Sequence, residues 1–323
     1  MKIVVLDGFC LNPGDLDWNG LSGFGDVDVF DRTPLEAVVD RARGAQIVLL
    51  NKTPMPAHVL RQLPELRYIG VLATGYDVVD AGAAQDMGIV VTTIPIYGTA
   101  SVAQFAFALL LELCHNVGLH SQAVREGEWV DSADWSFTKS RQIELAGKTM
   151  GVAGFGRIGR QTARIADAFG MRVIAADPDR KNAPDYPGFE WANLEDLLAE
   201  SDAVSLHSPL LPQTRGMINA QSLRRMKPSA FLINTARGGL VVARDLADAL
   251  NSGRIGGAAL DVLEMEPPPR DNPLLTAKNC ILTPHMAWAT LEARARLMHT
   301  AVDNVAAFVA GTPRNVVPSV LKS

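Results

Sequence analysis

An α/β architecture of two mostly parallel sheets, each covered on both faces, is the fold class this sequence predicts, and three observations predict it. The chain has 323 residues, which at about 150 per domain gives roughly two domains. Short, nearly unbroken aliphatic and β-branched runs recur along it, as expected of strands buried on both faces. These runs alternate with helical stretches in two blocks, one before Thr99 and one resuming at Lys148, the rhythm of strand-helix-strand units.

In the first block Lys2–Leu6, Val27–Phe30, Ile47–Leu50, Tyr68–Val71 and Val90–Thr92 read as strands. Thr33-Pro34-Leu35-Glu36 offers a cap residue, Pro at the first helical position and Glu three after the cap, predicting a helix from Pro34 to Arg43. A helix beginning at Thr99 carries Val102, Phe105, Phe107, Leu109, Leu110, Leu113 and Cys114, interrupted by Gln104 and Glu112. It is apolar almost all round, so it must be covered on nearly every side, as a helix between two domains would be. Arg125–Lys148 then turns polar around Trp129 and Trp135. Two large aromatics on such an arm suit either a partner subunit or a flap folded back on its own chain. In the second block the strands are Thr149–Ala153, Arg172–Ala176, Ala203–Leu206, Phe231–Asn234, Ala258–Leu260 and Cys280–Thr283, with helices Arg157–Phe169 and Ala243–Asn251. A closing helix runs from Leu291 to Ala310, and no repeat of solenoid period is present.

Composition removes several classes. With 48% hydrophobic and 20% charged residues, and Gly and Pro in no periodic arrangement, the chain is neither disordered, collagenous nor a coiled coil. The formal net charge is −5 with no long Lys/Arg run, so nucleic acid is not expected as a partner. Cys10, Cys114 and Cys280 lie far apart without CxxC spacing, which supports neither a disulfide framework nor a zinc site and fits a reducing cytoplasm. Ile3–Leu6 is too short for a signal-peptide core, and no apolar run reaches membrane-spanning length. Neither export nor a membrane is expected.

Gly154-Phe155-Gly156-Arg157-Ile158-Gly159 is a GxGxxG segment placed directly after a predicted strand and opening a predicted helix. The first Gly permits the tight turn, the second lets backbone approach a pyrophosphate, the third lets helix pack on strand, and the helix N-terminus holds the anion. A bare GxGxxG is weak, since a structural turn looks the same. Here the next strand ends at Asp177, where a carboxylate can accept from both ribose hydroxyls of NAD. Asp177 would repel a 2′-phosphate, so NAD is favoured over NADP, although Arg180 and Lys181 are close by.

These residues resemble the D-isomer-specific 2-hydroxyacid dehydrogenases along essentially the whole chain. Besides Gly154–Gly159 with Asp177, the resemblance rests on four further blocks: Leu206-His207-Ser208-Pro209-Leu210 with Thr214, Asn234-Thr235-Ala236-Arg237-Gly238-Gly239, Leu260-Asp261-Val262 running to Glu266-Pro267, and Thr283-Pro284-His285. Ala73-Thr74-Gly75-Tyr76-Asp77 and Pro284-His285-Met286-Ala287-Trp288 look like the glycerate dehydrogenase or hydroxypyruvate reductase branch. The resemblance implies a flavodoxin-like substrate domain built from residues 1–99 and 291–323, an inserted Rossmann NAD-binding domain over 100–290, and a homodimer paired through the latter. That favours the partner-subunit reading of Trp129 and Trp135.

Reducing a 2-oxo acid needs a carboxylate anchor, a proton donor for the carbonyl oxygen and a hydride aimed at the carbonyl carbon. Arg237, after a predicted strand, can grip the carboxylate with its planar fork while polarising the carbonyl; a lone Arg is otherwise most often in a surface ion pair. His285, also after a strand, can donate the proton as imidazolium and accept it back in the oxidative direction. A histidine there is more often a structural hydrogen bonder, but the family places Glu266 against it, which favours the charged ring and orients it. Glu264 competes for that role; Glu266 is chosen because the family's acid directly precedes Pro. The resemblance also puts the backbone of Thr74 and Gly75 at the substrate carboxylate, His207 and Pro209 beside the nicotinamide, and Asp261 at its amide. Val102, Thr214, Thr235, Ala236 and Ala287 complete the cofactor pocket. His58, His115, His120 and His299 are expected to be capped or partly exposed helix residues, and no metal is expected.

The expected activity is NADH-dependent reduction of hydroxypyruvate to D-glycerate, with glyoxylate and similar short 2-oxo acids alongside. Formate-oxidising relatives carry Gln at the place of Glu266, phosphite-oxidising ones Lys at the place of Thr74, and many phosphoglycerate dehydrogenases continue into a regulatory domain beyond Ser323. The alternatives are a dehydrogenase for another D-2-hydroxy acid and an NAD-sensing scaffold of the co-repressor type. Trp288 stands where many relatives have a small residue, and a bulky wall beside His285 would select a three-carbon acid. Trp288→Ala is therefore expected to lower the kcat/KM preference for hydroxypyruvate over bulkier 2-oxo acids; an unchanged ratio would remove Trp288 from substrate selection.

Overall fold

The computed structural model of the chain describes residues 1–181 and 183–318. The chain divides into two compact units, Met1–Gly98 with the segment from Ala289 onward, and Thr99–Trp288.

The first unit holds five parallel strands, β1 (Lys2–Val5), β2 (Asp26–Val29), β3 (Ile47–Leu50), β4 (Tyr68–Val71) and β5 (Val90–Thr92), in the order β2-β1-β3-β4-β5. This is the flavodoxin-like doubly wound order, with the direction of winding reversing between β1 and β3. β3 and β4 are buried throughout, which explains their unbroken apolar runs. On one face Val48, Leu50, Ile69 and Val71 pack with Val38, Val59, Leu60 and Ala84. The closing helix Leu291–Val309 packs on β4, where the Tyr68 and Phe308 rings lie 4.8 Å apart. The following tail pairs with β5 through Val317 N–H to Val91 O and Thr93 N–H to Asn315 O, at 2.9 and 3.1 Å, so this edge is not left open.

The capping box proposed at Thr33 does not form. Pro34 is extended, a 3-10 turn occupies Leu35–Ala37 and the α-helix is confined to Val38–Ala42. The Thr33 hydroxyl instead donates to Leu6 O at 2.5 Å, so a tertiary acceptor at the end of β1 takes the group that a local cap would have used. Arg294 is a second feature without a sequence signal. It is buried, donates both Nη groups to Asp15 at 2.6 Å, and bonds Leu11 O and Ala289 O. The Arg294 guanidinium holds the Asp15 carboxyl below its usual range and ties the closing helix to the loop after β1.

The second unit holds seven parallel strands, β6 (Thr149–Ala153), β7 (Arg172–Ala176), β8 (Phe189–Trp191), β9 (Ala203–Leu206), β10 (Phe231–Asn234), β11 (Gly257–Leu260) and β12 (Cys280–Leu282), in the order β12-β11-β10-β9-β6-β7-β8. The order reverses between β6 and β9, as in a Rossmann sheet. Helices Thr99–His115 and Arg157–Ala168 pack against each other over one face with Phe107, Leu110, Val152, Ile233 and Ala259 in the core. The other face carries Leu197, Leu206, Leu232, Leu246 and Leu260. The helix Thr99–His115 is covered as its composition requires, except for a narrow stripe of Ala100, Gln104 and Ala108.

β8 has no sequence signal, since its Phe-Glu-Trp carries no β-branched run to mark it. Its rings create the packing instead: Phe155 lies 5.1 Å from both Phe189 and Trp191, buttressing the turn after β6. The arm after Arg125 folds back on its own chain. Trp129 Nε1 donates to Trp135 O at 2.9 Å, Lys139 Nζ pairs with Glu128 at 2.6 Å, and Lys139 N–H donates to His120 Nε2 at 2.9 Å. The rings nevertheless stay outside, Trp129 at 51% and Trp135 at 88% exposure.

Candidate active site

In the seven-stranded sheet the chemistry-bearing blocks all follow strand carboxyl ends, the edge at which open α/β sheets bind ligands. The glycine loop follows β6, Asp177 follows β7, His207 follows β9, Thr235–Arg237 follow β10, Asp261 follows β11 and His285 follows β12. The parallel sheet thus delivers six loops to one rim.

At the reversal point the turn after β6 is built on Gly154, whose φ is +94° and whose missing Cβ would come 2.5 Å from Ser208 N. No other residue fits there without moving the β9 loop. A Cβ on Gly159 would meet Gly154 O at 2.1 Å, whereas one on Gly156 would meet nothing within 4 Å. The middle glycine therefore faces open space at the N-terminus of helix Arg157–Ala168, a cradle suited to a pyrophosphate. Arg157 and Ile158 form the first turn of that helix. Asp177 Oδ2 accepts from Phe155 N–H at 2.6 Å, and Oδ1 from Asp179 N–H at 2.8 Å. Its carboxylate holds the glycine loop to the end of β7, and these two bonds leave it further acceptor capacity.

The backbone N–H of His207 donates to Ala153 O at 2.7 Å, while the ring Nε2 is 2.9 Å from the Ser205 hydroxyl. Burial pushes the imidazole down to about 4, so the ring is neutral at neutral pH. The Thr214 hydroxyl closes its own loop, donating to Pro209 O at 2.6 Å and accepting from Leu211 N–H at 2.8 Å. Thr235 is buried and its Oγ1 has no partner within the protein. An orphaned hydroxyl of this kind calls for a ligand or water, and together with the Gly156 cradle it fits a dinucleotide.

The segment after β10 is pinned by buried Asn234, whose Nδ2 donates to Arg237 O at 2.9 Å and whose Oδ1 accepts from Ala236 N–H at 3.0 Å. Arg237 is exposed and donates through Nη1 to Ala236 O at 2.8 Å, leaving the rest of the fork outward. Gly238 lets this segment press against the one after β11, since its Cβ would lie 1.9 Å from Leu263 C. Glu266 Oε1 accepts from Leu263 N–H at 2.9 Å, and its Oε2 lies 2.5 Å from His285 Nδ1. Glu264, the competitor, pairs with Arg215 at 3.1 Å instead.

His285 sits at φ +52°, an uncommon conformation for a side-chain-bearing residue. Asp261, 1% exposed, over-determines it: Oδ1 accepts from the Thr283 hydroxyl at 2.6 Å and Met286 N–H at 2.9 Å, and Oδ2 from Ala287 N–H at 2.8 Å. His285 N–H itself donates to Asp261 O at 2.8 Å. The Ser101 hydroxyl donates to Ala287 O at 2.6 Å, joining this turn to the first turn of helix Thr99–His115, where Val102 is buried. Trp288 is half-buried at the end of the same turn.

Thr74 and Gly75 belong to the five-stranded unit, directly after β4. The Thr74 hydroxyl donates to Ile94 O at 2.8 Å. Among the described residues the N–H groups of Thr74 and Gly75 have no protein acceptor. The remaining four histidines are ordinary: His58 is exposed on the helix Ala57–Leu60, His115 meets Gln142, His120 bonds Asn116 O, and His299 lies near Asp303. Among the described residues no group of three or more His, Cys, Asp or Glu is arranged to hold a metal ion.

Residues 107–287 match the NAD binding domain of the D-isomer specific 2-hydroxyacid dehydrogenases. The chain belongs to this family. It is 52% identical to the hydroxypyruvate reductase of Blautia hydrogenotrophica, over 98% of this chain and 99% of that protein. It is 44% identical to the glycerate dehydrogenase of Methylorubrum extorquens, over 87% and 88% of the two chains. The apo-structure of D-lactate dehydrogenase from Escherichia coli superposes with a TM-score of 0.85 at 29% identity, covering 98% of this chain and all of that one. As a member of this dehydrogenase family the protein is an NAD-dependent oxidoreductase of the CH–OH group.

Sequence reading did not single out Ser101, Ser205, Asn234, Gly238 or Thr283, although Asn234, Gly238 and Thr283 stand inside the quoted blocks. A polar residue ending a buried strand, as Asn234 does, is the one signal that could have found it. Gly238→Ala is expected to force the Arg237 segment away from Leu263 and to lower kcat/KM for the 2-oxo acid by about 10²-fold, the cost of a displacement near 1 Å. Steady-state kinetics with tryptophan-fluorescence titration of NADH checks this, with NADH affinity expected to stay unchanged.

Proposed function

We propose that this protein interconverts hydroxypyruvate and D-glycerate with NAD(H), reducing glyoxylate and similar short 2-oxo acids alongside. The observation that carries the reading is the Glu266–His285 pair at 2.5 Å, on the same rim as Arg237 and the glycine loop. The relatives named hydroxypyruvate reductase and glycerate dehydrogenase support the substrate class, and the half-buried Trp288, three residues after the histidine in the chain, is consistent with it.

Arg237 holds the substrate carboxylate and polarises the neighbouring carbonyl through its outward fork. Thr74 and Gly75 are proposed to add backbone N–H donors to that carboxylate. Bound NADH supplies the hydride to the carbonyl carbon. His285 gives the proton on Nε2 to the carbonyl oxygen, which becomes the alcohol, and is reprotonated from water. Glu266 accepts the Nδ1–H bond, fixing the ring plane and leaving Nε2 to face the substrate. In the oxidative direction neutral His285 accepts the alcohol proton. Gly154, Gly156, Arg157, Ile158, Gly159 and Asp177 are proposed to hold the pyrophosphate and ribose, and Val102, His207, Pro209, Thr235, Ala236 and Ala287 to line the nicotinamide side. The Thr214 hydroxyl serves its own loop, so its part is to shape that wall. Asp261 keeps one lone pair for the nicotinamide amide after its three loop bonds. Asp177 opposes a 2′-phosphate, and Arg180, the nearest cation of the loop, donates to Ala192 O at 3.2 Å, which favours NADH over NADPH.

We further assign residues 1–99 and 291–323 to the substrate domain and 100–290 to the nucleotide domain. A homodimer is proposed, supported by the exposed Val117, Val124, Trp129, Val130 and Trp135 on helix Val117–Arg125 and its arm. A cytoplasmic location is proposed from the three free cysteines, Cys10, Cys114 and Cys280. A substrate panel with both cofactors tests the reading: kcat/KM is expected to be highest for hydroxypyruvate with NADH. Glu266→Gln is expected to lower kcat for its reduction by about 10²-fold or more. A higher kcat/KM for pyruvate or a branched 2-oxo acid would replace the substrate assignment.

A further inference from the structure

In doubly wound sheets ligands settle where the strand order reverses. In the five-stranded sheet that point lies between β1 and β3, and the chain fills it with its own carboxylate. Asp7, just past β1, accepts from Asn51 N–H through Oδ1 at 2.6 Å, and through Oδ2 from Lys52 and Thr53 N–H at 2.6 and 2.8 Å. Three successive amides converging on one anion form a backbone nest, an arrangement that in other proteins holds phosphate or carboxylate ligands.

The segment held by this nest brackets the 73–77 loop at both ends. Upstream, buried Asn51 donates its side-chain amide to Leu72 O at 3.3 Å. Downstream, Met55 N–H donates to Val78 O at 2.7 Å, and Met55 O accepts from Asp80 N–H at 3.1 Å. The opposite flank is held by the segment just after β5, through Ile94 N–H to Ala73 O at 3.0 Å and the Thr74 hydroxyl to Ile94 O at 2.8 Å. Between these clamps stand the N–H groups of Thr74 and Gly75, which have no protein acceptor among the described residues.

We propose that Asp7, acting through Asn51–Met55, is a positioning residue that sets the N–H groups of Thr74 and Gly75 for the substrate carboxylate. The proposal rests on the reading that these two residues touch substrate. Without the Asp7 carboxylate three amide donors must find other partners. The clamp upstream and downstream of the loop then shifts, while nothing in the seven-stranded unit is altered.

Asp7→Asn tests it, since it keeps the shape but turns one acceptor oxygen into an N–H group facing amide donors. The KM for hydroxypyruvate is expected to rise roughly tenfold, with kcat at saturating substrate and the Kd for NADH within about twofold of the parent. Asn51→Ala is expected to raise the same KM by roughly threefold, and it decides the matter should Asp7→Asn fail to fold. Gly75→Pro, which removes one of the two N–H donors, tests the underlying reading. If Gly75→Pro leaves KM unchanged, Thr74 and Gly75 are not substrate contacts and the proposal falls with that reading. If Gly75→Pro raises KM but neither Asp7→Asn nor Asn51→Ala does, the reading stands and the positioning role is overturned. A fall in kcat with an unchanged KM in the folded Asp7→Asn protein marks Asp7 as structural only and overturns the proposal.

Discussion

The Asp261 carboxylate is the interaction on which the rest of the site depends. A buried carboxylate is costly unless its oxygens are met by donors, and here three donors meet it, all within the short turn from Thr283 to Ala287. That turn carries His285 in a left-handed backbone conformation that an isolated peptide would rarely hold. The stabilisation from the carboxylate is therefore what keeps the imidazole facing Glu266. The resemblance assigns Asp261 to the nicotinamide amide; the structure adds the organisation of the histidine turn, which occupies most of its acceptor capacity.

The same economy recurs elsewhere. Asp177 ties the glycine loop to β7, Asn234 closes the Arg237 segment, and Asp7 closes the nest beside β3. In each case a short polar side chain at the carboxyl end of a strand satisfies backbone donors or acceptors of a loop that has no regular ladder of its own. Strands give rigid origins, and these side chains fix how the loops leave them. Gly154 and Gly238 supply the complementary device, removing a Cβ where two neighbouring loops must nearly touch.

Much of the fold was legible because both sheets are buried on both faces. β3 and β4 are apolar throughout for that reason, β9 and β10 are interrupted only by Ser205 and by the terminal Asn234, and all four have the bounds that the sequence predicts. β8 escaped because it is short, at a sheet edge and held by aromatic stacking that no local pattern announces. The helix cap at Thr33 misled because local sequence offered a box while a carbonyl from β1 offered a better-placed acceptor. In the site, a glycine, acid or histidine after an apolar run is ordinary loop chemistry taken singly, and the blocks stood out by their combined context and by their resemblance to the family's motifs in order and spacing. Ser101, Ser205 and Thr283 stayed silent: a lone hydroxyl gains meaning only from the group it meets, and those partners come from elsewhere in the chain or from the turn's final geometry.

We propose that His285, held by Glu266 and by the Asp261 turn, moves the proton while the nucleotide rim binds independently of it. The most direct measurement is kcat for hydroxypyruvate reduction in His285→Ala, taken together with the dissociation constant for NADH from fluorescence titration. A loss in kcat of about 10³-fold or more is expected, with NADH affinity unchanged. A variant that keeps its kcat within about tenfold, or that loses NADH binding in proportion to activity, would contradict it.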